Sequence, residues 1–335
     1  MKPSRLSATV DLTADGKHCG FLRLPHSVHR SAYGWLPIPV VSIKNGKGPK
    51  VICLGGIHGD EWEGQLTWMK LIRELTPDRV RGQLLILSSA NFPAAMSATR
   101  VSPIDDINLN RAFPGDPDGM PTQQIAYYIE SVLMPGADLV IDLHSGGSSL
   151  MYIPSTLSRF TDDKAAMAKS IEVHKAFGAS IAYITDAPQG EDRTTSAGAG
   201  RKGVAYLGTE LGGAGTLSHN SIEVAEGGVR RVLGKIGSLP EAANEKPPRQ
   251  TRVLRVEGVE YYVYAPDSGI FEPLVELGAE VKPGQPAARI HFPDTPWREP
   301  TTCHFEQEGV VICQRFPSRC ERGDCLYHLG SDWAA

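Results

Sequence analysis

Short apolar runs alternate with segments of helical apolar spacing along the first two thirds of the chain. The apolar runs predict buried strands at residues 49–55, 83–88, 137–143 and 203–211. Apolar residues at three- and four-residue intervals predict helices at residues 62–75, 122–133 and 163–177. Strands that alternate with helices in this way are typical of an α/β domain with a largely parallel sheet.

The pattern changes after residues 238–250, a polar segment with three prolines that we interpret as a linker. Beyond it, short strand-like runs separated by glycine and proline turns replace the helices. These runs lie at residues 252–264, 269–274, 287–291 and 309–315. We therefore predict an α/β domain over residues 1–245, with an N-terminal extension at 1–47, and a small all-β, barrel-like domain over 246–335.

Composition argues against several classes of partner. A formal net charge of -4 gives no basic surface of the kind that binds nucleic acid. No apolar stretch approaches the roughly 18 residues of a membrane span, and the first residues have no signal-peptide pattern. None of the six cysteines forms a CxxC pair, so we predict free thiols in a reducing cytoplasm. The sequence is compatible with a homo-oligomer.

The densest chemical signal is the glycine-rich segment 55–64, which follows the first predicted strand. Its His58 and Glu61 are three residues apart, so a tight glycine turn can direct both side chains at one ion. His144 follows the strand 137–143 in the same way, and open α/β sheets place their sites beyond the carboxyl ends of strands. A single glycine-flanked histidine is more often structural, but two histidines and a glutamate bind catalytic zinc in one group of hydrolases. We therefore predict one zinc ion per chain, bound by His58, Glu61 and His144.

Two further motifs are candidates for binding substrate and moving protons. Asn110 and Arg111 suit a carboxylate, because a guanidinium offers a planar fork and an amide adds a donor. An ordinary surface arginine beside an asparagine turn is the alternative. Glu210 closes the strand 203–211 at the edge predicted for the metal, where an acid can take a proton from water and pass it to a leaving amine. Its alternative is a solvated glutamate at a strand end.

Together these motifs resemble the aspartoacylase and succinylglutamate desuccinylase family, relatives of the zinc carboxypeptidases. The resemblance runs from about residue 48 to the end, and its motifs occur in the family's order: His58-Gly-Asp-Glu61, Asn110-Arg111, Asp142-Leu-His144-Ser-Gly-Gly and Glu210. It implies a zinc carboxypeptidase-like α/β domain with a mixed, largely parallel sheet. It also implies hydrolysis of the amide bond of a small N-acylated amino acid.

The resemblance also implies roles for individual residues. His58, Glu61 and His144 would hold zinc, and Glu210 would act first as general base and then as general acid. Asn110 and Arg111 would hold the substrate's α-carboxylate. Arg100 resembles the arginine that polarises the scissile carbonyl, although its spacing to Arg111 is slightly longer than the family pattern. Asp142 is expected to orient His58, and Asp60 and Glu63 to support the ligands or face solvent.

Within the family, two segments most resemble the bacterial N-acetyl-diaminobutyrate deacetylases of ectoine breakdown. They are the opening segment 10–25 and the insert Ser102-Pro-Ile-Asp105. The expected reaction converts N-acetyl-2,4-diaminobutyrate to acetate and diaminobutyrate. Aspartoacylase or succinylglutamate desuccinylase activity, and a metallocarboxypeptidase acting on peptides, are the alternative enzymes. A non-catalytic metal-binding protein is the alternative from another class.

The C-terminal segment resembles a biotinyl or lipoyl barrel. Lys282 is the only lysine after the linker, and its Val-Lys-Pro turn does not match the lysine that such carriers modify. We therefore expect a β cap that shapes one wall of the active-site mouth. Its histidines, His291, His304 and His328, are expected at most to contact substrate, and His174 is expected to have a surface or packing role.

Overall fold

The computed structural model describes residues 2–186 and 191–333. Its helices are α1 (Trp62–Glu74), α2 (Phe92–Ser97), α3 (Pro121–Tyr128), α4 (Lys164–Phe177), α5 (Thr195–Arg201) and α6 (His219–Lys235). The strands up to the linker are β1 (Ser7–Ala8), β2 (Gly16–Pro25), β3 (Trp35–Asn45), β4 (Lys50–Gly55), β5 (Gly82–Leu87), β6 (Leu139–Leu143), β7 (Leu150–Tyr152), β8 (Ser155–Arg159), β9 (Ile181–Thr185) and β10 (Ala205–Glu210). Those after it are β11 (Arg252–Val256), β12 (Tyr262–Tyr264), β13 (Gly269–Pro273), β14 (Glu280–Val281), β15 (Pro286–His291), β16 (Thr301–His304), β17 (Gly309–Arg315), β18 (Arg319–Cys320) and β19 (Cys325–Asp332).

The elements predicted from the apolar pattern are present, with ends that shift by a few residues. The exception is the run 252–264, which forms two strands, β11 and β12, separated by the 3₁₀ turn Val259–Tyr261. The helix predicted at 122–133 ends as α-helix at Tyr128 and continues as a π-helical turn to Leu133. The pattern missed the hairpin of β2 and β3, in which Gly16 to Pro25 pair with Lys44 to Trp35. It also missed α2, α5, α6 and the strands β1, β7 to β9, β14, β16, β18 and β19. Most of these are short or, like α6, interrupted by glycine, whereas β9 is a continuous apolar run of the same kind as the predicted strands.

The central strands are parallel and buried on both faces. β5, β4, β6 and β10 lie side by side in that order, all parallel. Alternate residues of β4 therefore enter different cores: Val51 and Cys53 pack with α1, α4 and α6, whereas Ile52 and Leu54 pack with α3 and the N-terminal hairpin. The result is a three-layer α/β arrangement in which the carboxyl ends of three neighbouring strands, β4, β6 and β10, meet at one edge.

The sheet continues past these strands into the C-terminal region. Within the described residues it has 15 strands, and β11 joins it parallel to β9. A separate four-stranded antiparallel sheet is formed by β16, β15, β13 and β18. The predicted fold class, a mixed and largely parallel sheet with a C-terminal all-β part, is confirmed. No helix in the described part of the chain has the length and apolar character needed to cross a membrane.

His174 has the packing role expected of it, inside the core between α4 and β8. Its Nε2 lies 2.9 Å from Ser158 Oγ, and burial lowers its pKa from 6.5 to about 3. The imidazole is therefore neutral in the folded protein at every pH above about 3.

We expect this burial to make the protein acid-sensitive. In the unfolded chain the imidazole of His174 binds a proton below pH 6.5, whereas in the folded chain it binds one only below about pH 3. The free energy of unfolding therefore decreases as the pH falls from 6.5 towards 3. The free energy of unfolding should fall from pH 7 to pH 5 in the wild type, and this fall should be about 2 kcal/mol smaller in His174→Gln. Urea unfolding of both proteins at the two pH values measures this, and an unchanged difference would contradict it.

Candidate metal centre and substrate pocket

The predicted metal ligands meet at the shared edge of β4, β6 and β10. His58 and Glu61 follow the end of β4, and His144 follows the end of β6. Their candidate ligand atoms all lie within 4.8 Å of one another, and all three side chains are buried. Glu61 Oε1 lies 2.6 Å from His58 Nδ1, and Oε2 lies 2.7 Å from His144 Nδ1. Both histidines therefore present Nδ1 to the same point.

Close backbone contacts hold the loop that carries His58 and Glu61. Gly56 has φ +62°, and a Cβ on Gly64 would lie 2.5 Å from the Leu143 carbonyl oxygen. The first turn of α1 can therefore lie directly against the end of β6. The Gln65 amide donates to the carbonyls of Gly59 and Glu61 at 3.1 and 2.9 Å, which fixes Glu61 relative to its own helix.

Two residues on the outer side of the centre orient the histidines. Asp142 Oδ2 lies 3.0 Å from His144 Nε2, so the prediction that Asp142 orients His58 is wrong. The reason is that alternate residues of a strand share a face, which puts Asp142 and His144 on the same side of β6. Asn108 Oδ1 instead lies 3.1 Å from His58 Nε2. Each contact leaves Nδ1 free to bind a metal.

Asp60 and Glu63 are buried rather than solvated. Asp60 Oδ2 accepts hydrogen bonds from the Ser148 amide and hydroxyl at 2.8 and 2.9 Å, and so holds the loop after His144. Burial raises the pKa of Glu63 to about 7. Asp60 thus supports the loop that follows His144, and Glu63 is a buried carboxyl group close to Ser145 on the same loop.

The charges of the three candidate ligands depend on their burial and on one another. Burial alone would raise the pKa of Glu61, but the adjacent His58 and His144 lower it well below its usual range, so it is ionised. Burial lowers the pKa of His58. Burial acts the same way on His144, yet Asp142 and Glu61 raise its pKa well above 6.5. A metal bound here would therefore displace a proton, as expected for a histidine–carboxylate site.

Glu210 ends β10, beside β6 in the sheet, at the edge where sequence reasoning predicted it. The residue is partly exposed, but its Oε2 is buried and has no hydrogen-bond partner. Burial and the nearby charge of Glu61 raise its pKa well above the usual range. An unpartnered carboxyl group with an elevated pKa is suited to accept and return a proton.

The three candidate substrate residues are Arg100, Asn110 and Arg111. Arg100 Nη1 is 3.3 Å from Glu61 Oε1, next to the ligand atoms. Asn110 Oδ1 accepts from the backbone amide of Thr195 at 2.9 Å, which leaves its NH₂ group available as a donor. Arg111 is partly exposed, and its Nε is 3.4 Å from Glu191 Oε2.

Asn110 and Arg111 lie at a cavity of about 350 Å³ that sequence reasoning did not predict. Residues from both sides of the linker line it: Asn110, Arg111, Tyr152, Leu157, Ser158, Arg159, Tyr183, Thr185, Glu191, Thr194, Ser196, Tyr206, Tyr262, Tyr264 and His328. Of the three C-terminal histidines, His328 alone is among them, whereas His291 contacts Glu272 at 2.7 Å on the surface. The sequence feature that could have indicated this cavity is the alternation Tyr262-Val263-Tyr264, which places two tyrosines on one face of a strand.

Comparison with known proteins places this site in a family. The succinylglutamate desuccinylase/aspartoacylase catalytic domain matches residues 47–236. The chain belongs to this family. It is therefore a deacylase that hydrolyses amide bonds, and the predicted resemblance is confirmed.

Three members of the family illustrate the similarity. The chain is 39% identical over 325 residues to the N-alpha-acetyl-L-2,4-diaminobutyric acid deacetylase of Halomonas elongata, covering 97% of this chain and 94% of that one. The product-bound ectoine utilization protein EutE (DoeB) of Ruegeria pomeroyi has 36% identity and a TM-score of 0.94, covering 99% of this chain and all of that one. A succinylglutamate desuccinylase/aspartoacylase structure from Rhodobacter sphaeroides has 36% identity and a TM-score of 0.92 with the same coverage.

Proposed function

We propose that this protein hydrolyses the amide bond of N-acetyl-2,4-diaminobutyrate to acetate and 2,4-diaminobutyrate, using one zinc ion per chain. The observation that carries the proposal is the convergence of His58, Glu61 and His144 beside Glu210. The similarity to a deacetylase of this substrate, over nearly the whole of both chains, supports the choice of acyl group and amino acid. We assign the reaction to ectoine breakdown in the cytoplasm, and all six cysteines are free.

The donor set fits zinc. Two imidazole nitrogens and one carboxylate converge in a buried site, and the outer nitrogen of each histidine faces an oxygen of Asn108 or Asp142. When bound, zinc would act as a Lewis acid and lower the pKa of a water molecule.

Glu210 moves the proton in this mechanism. Its carboxylate takes a proton from the attacking water, whose oxygen bonds to the acyl carbon. Glu210 then gives this proton to the amide nitrogen as the carbon–nitrogen bond breaks. The new carboxyl group loses the second proton of the water to the released amine, so the products are acetate and an ammonium group, and atoms and charges balance without another reactant.

Two arginines and an asparagine position the substrate. Arg100 lies beside the ligand atoms, where its guanidinium can stabilise the negative oxygen that forms on the acyl carbonyl. Arg111 and the NH₂ group of Asn110 can hold the α-carboxylate at the cavity. The acyl group is then directed at the metal centre and the amino-acid side chain into the cavity.

A substrate panel tests the proposed function. Amine release is measured from N-acetyl-2,4-diaminobutyrate, N-acetylaspartate, N-succinylglutamate and a blocked dipeptide, each with and without a zinc chelator. We expect chelator-sensitive release, fastest from the first compound. Faster release from N-acetylaspartate or N-succinylglutamate would keep the mechanism but assign the protein to another pathway. Faster release from the blocked dipeptide would favour a carboxypeptidase. No release from any compound by protein with one zinc per chain would contradict the proposed function.

A further inference from the structure

A tyrosine of β10 reaches from the cavity to the metal centre. Tyr206 lines the cavity of about 350 Å³ together with Asn110 and Arg111. Its hydroxyl donates to Asp142 Oδ2 at 3.2 Å, and the same oxygen lies 3.0 Å from His144 Nε2. A line of contacts therefore leads from the cavity lining to one of the candidate metal ligands.

Strand register explains why the hydroxyl arrives at this carboxylate. β10 and β6 run parallel, with Gly208 opposite Asp142 and Tyr206 opposite Val140. Alternate residues share a face of a strand, so Tyr206 lies on the same face as the glycine opposite Asp142. A Cβ on Gly208 would lie 2.9 Å from both Cε1 and the hydroxyl oxygen of Tyr206. The tyrosine ring therefore extends over Gly208, and the missing side chain gives it room to reach Asp142.

The hydroxyl of Tyr206 contacts the carboxylate oxygen that faces His144. Asp142 is fully buried, and its Oδ1 has no hydrogen-bond partner within the described residues. A carboxylate with one unpartnered oxygen can turn about its Cβ–Cγ bond, because this torsion of aspartate has broad energy wells. The hydrogen bond from Tyr206 to Oδ2 restricts that rotation and keeps the oxygen directed at the imidazole.

Tyr206 stays a hydrogen-bond donor while Asp142 is charged. Burial raises the pKa of Tyr206 well above its usual value, and the negative charge of Asp142 raises it further. The phenol is therefore neutral at physiological pH. A donor to a charged acceptor makes a stronger hydrogen bond than one between neutral groups.

β10 also holds the backbone of His144. The Thr209 hydroxyl accepts a hydrogen bond from the His144 amide at 3.0 Å and lies 3.1 Å from the His144 carbonyl oxygen. Thr209 and Tyr206 lie on opposite faces of β10. One strand thus contacts the main chain of this ligand directly and its ring through Asp142.

We propose that Tyr206 is a positioning residue of the metal centre, whose hydroxyl holds Asp142 in the orientation that keeps His144 Nδ1 directed at the metal. This inference rests on the proposed function, because it takes zinc to be bound by His58, Glu61 and His144. It does not depend on which acylated amino acid is the substrate. It gives the two parts of the tyrosine separate roles, the ring at the cavity and the hydroxyl at the metal centre.

The zinc affinity of Tyr206→Phe tests the role of the hydroxyl. The dissociation constant for zinc is measured without substrate, by competition with a chromophoric chelator. It should rise about fivefold, because the hydroxyl is one contact further from the metal than the outer partners whose loss costs about 10- to 100-fold. With zinc at saturation, KM for N-acetyl-2,4-diaminobutyrate should stay within about twofold of wild type, since phenylalanine keeps the ring at the cavity.

Gly208→Ala disturbs the same contact without altering the tyrosine. The added methyl would lie 2.9 Å from the hydroxyl oxygen of Tyr206, and Leu157 Cγ, 3.2 Å away, leaves it little room to shift. The hydroxyl should therefore move away from Asp142. We expect the dissociation constant for zinc to rise in this variant also, with the tyrosine still present.

A double-mutant cycle tests whether Tyr206 acts through Asp142. Asp142→Ala removes the carboxylate, so adding Tyr206→Phe to it should change the dissociation constant for zinc by less than about twofold. Tyr127→Phe is the matched control. The Tyr127 hydroxyl donates to the Lys2 carbonyl at 2.6 Å, outside the cavity lining, so its loss should leave zinc affinity unchanged.

The zinc affinities of these variants decide the role of Tyr206. Equal dissociation constants for wild type and Tyr206→Phe would reduce the hydroxyl to a structural hydrogen bond. The same loss in the Asp142→Ala background, or in Tyr127→Phe, would show that the effect does not pass through Asp142. In each of these cases the wild type still binds zinc and releases the amine, so the proposed function stands. A wild-type chain that binds no zinc would overturn the proposed function and this inference with it.

Discussion

Replacing Glu210 with glutamine is expected to lower kcat by about 1000-fold while zinc stays at one per chain. The glutamine side chain has nearly the same shape but cannot accept the proton from water or return it to the leaving amine, and general acid–base catalysis contributes roughly this factor. Glu210 is not among the three converging ligands, so metal binding should not change. Steady-state kinetics and zinc content by mass spectrometry on the same preparation measure both quantities.

Glu63 provides the matched comparison for Glu210. It is a second buried carboxyl group near the centre, and its pKa is also raised, to about 7. Because Glu63 lies on α1 behind the ligands rather than at the end of β10, Glu63→Gln should keep kcat within about tenfold of wild type. If Glu63→Gln were inactive and Glu210→Gln remained active, Glu63 and not Glu210 would be the general base.

Replacing His144 with alanine should remove both the metal and the activity. The substitution deletes one of three ligands, and it leaves the fully buried carboxylate of Asp142 without the imidazole 3.0 Å away. An uncompensated buried charge is costly, so His144→Asn, which can still donate a hydrogen bond, is the better-folded version of the test. We expect zinc content below about 0.1 per chain after dialysis and no measurable turnover in either variant.

The control for His144 is a histidine of the C-terminal sheet. His291 is exposed and contacts Glu272, far along the chain from the ligands, so His291→Ala should retain zinc and activity. Asp142→Asn gives an intermediate case, since loss of an outer partner typically weakens metal binding about 10- to 100-fold. Full zinc occupancy in His144→Asn under the same dialysis would remove His144 from the ligand set.

Local sequence was enough to predict the central strands and helices and the three candidate ligands, which the structure brings together. The apolar runs around Val51 and Ile141 are short, rich in β-branched residues and flanked by glycine, a pattern typical of buried parallel strands. His58 and Glu61 could be chosen because the glycine turn between strand and helix fixes their spacing within one short segment. Their convergence with His144 followed from a rule of topology, since parallel strands end at a common edge.

The tertiary structure decided the remaining features, because they depend on which distant strands pair. Asn108, the partner of His58, was missed because it lies on a loop 50 residues along the chain. The Asp142 error was different, since alternation along β6 already places Asp142 on the side of His144. The N-terminal hairpin pairs along 10 positions, yet its apolar pattern is interrupted by prolines and glycine. The aromatic rings of the cavity lining come from residues as far apart in the chain as Tyr152 and His328. Only the register of β7, β17, β19 and β12 places those rings on one face, and no local periodicity records a register between strands so far apart in the chain.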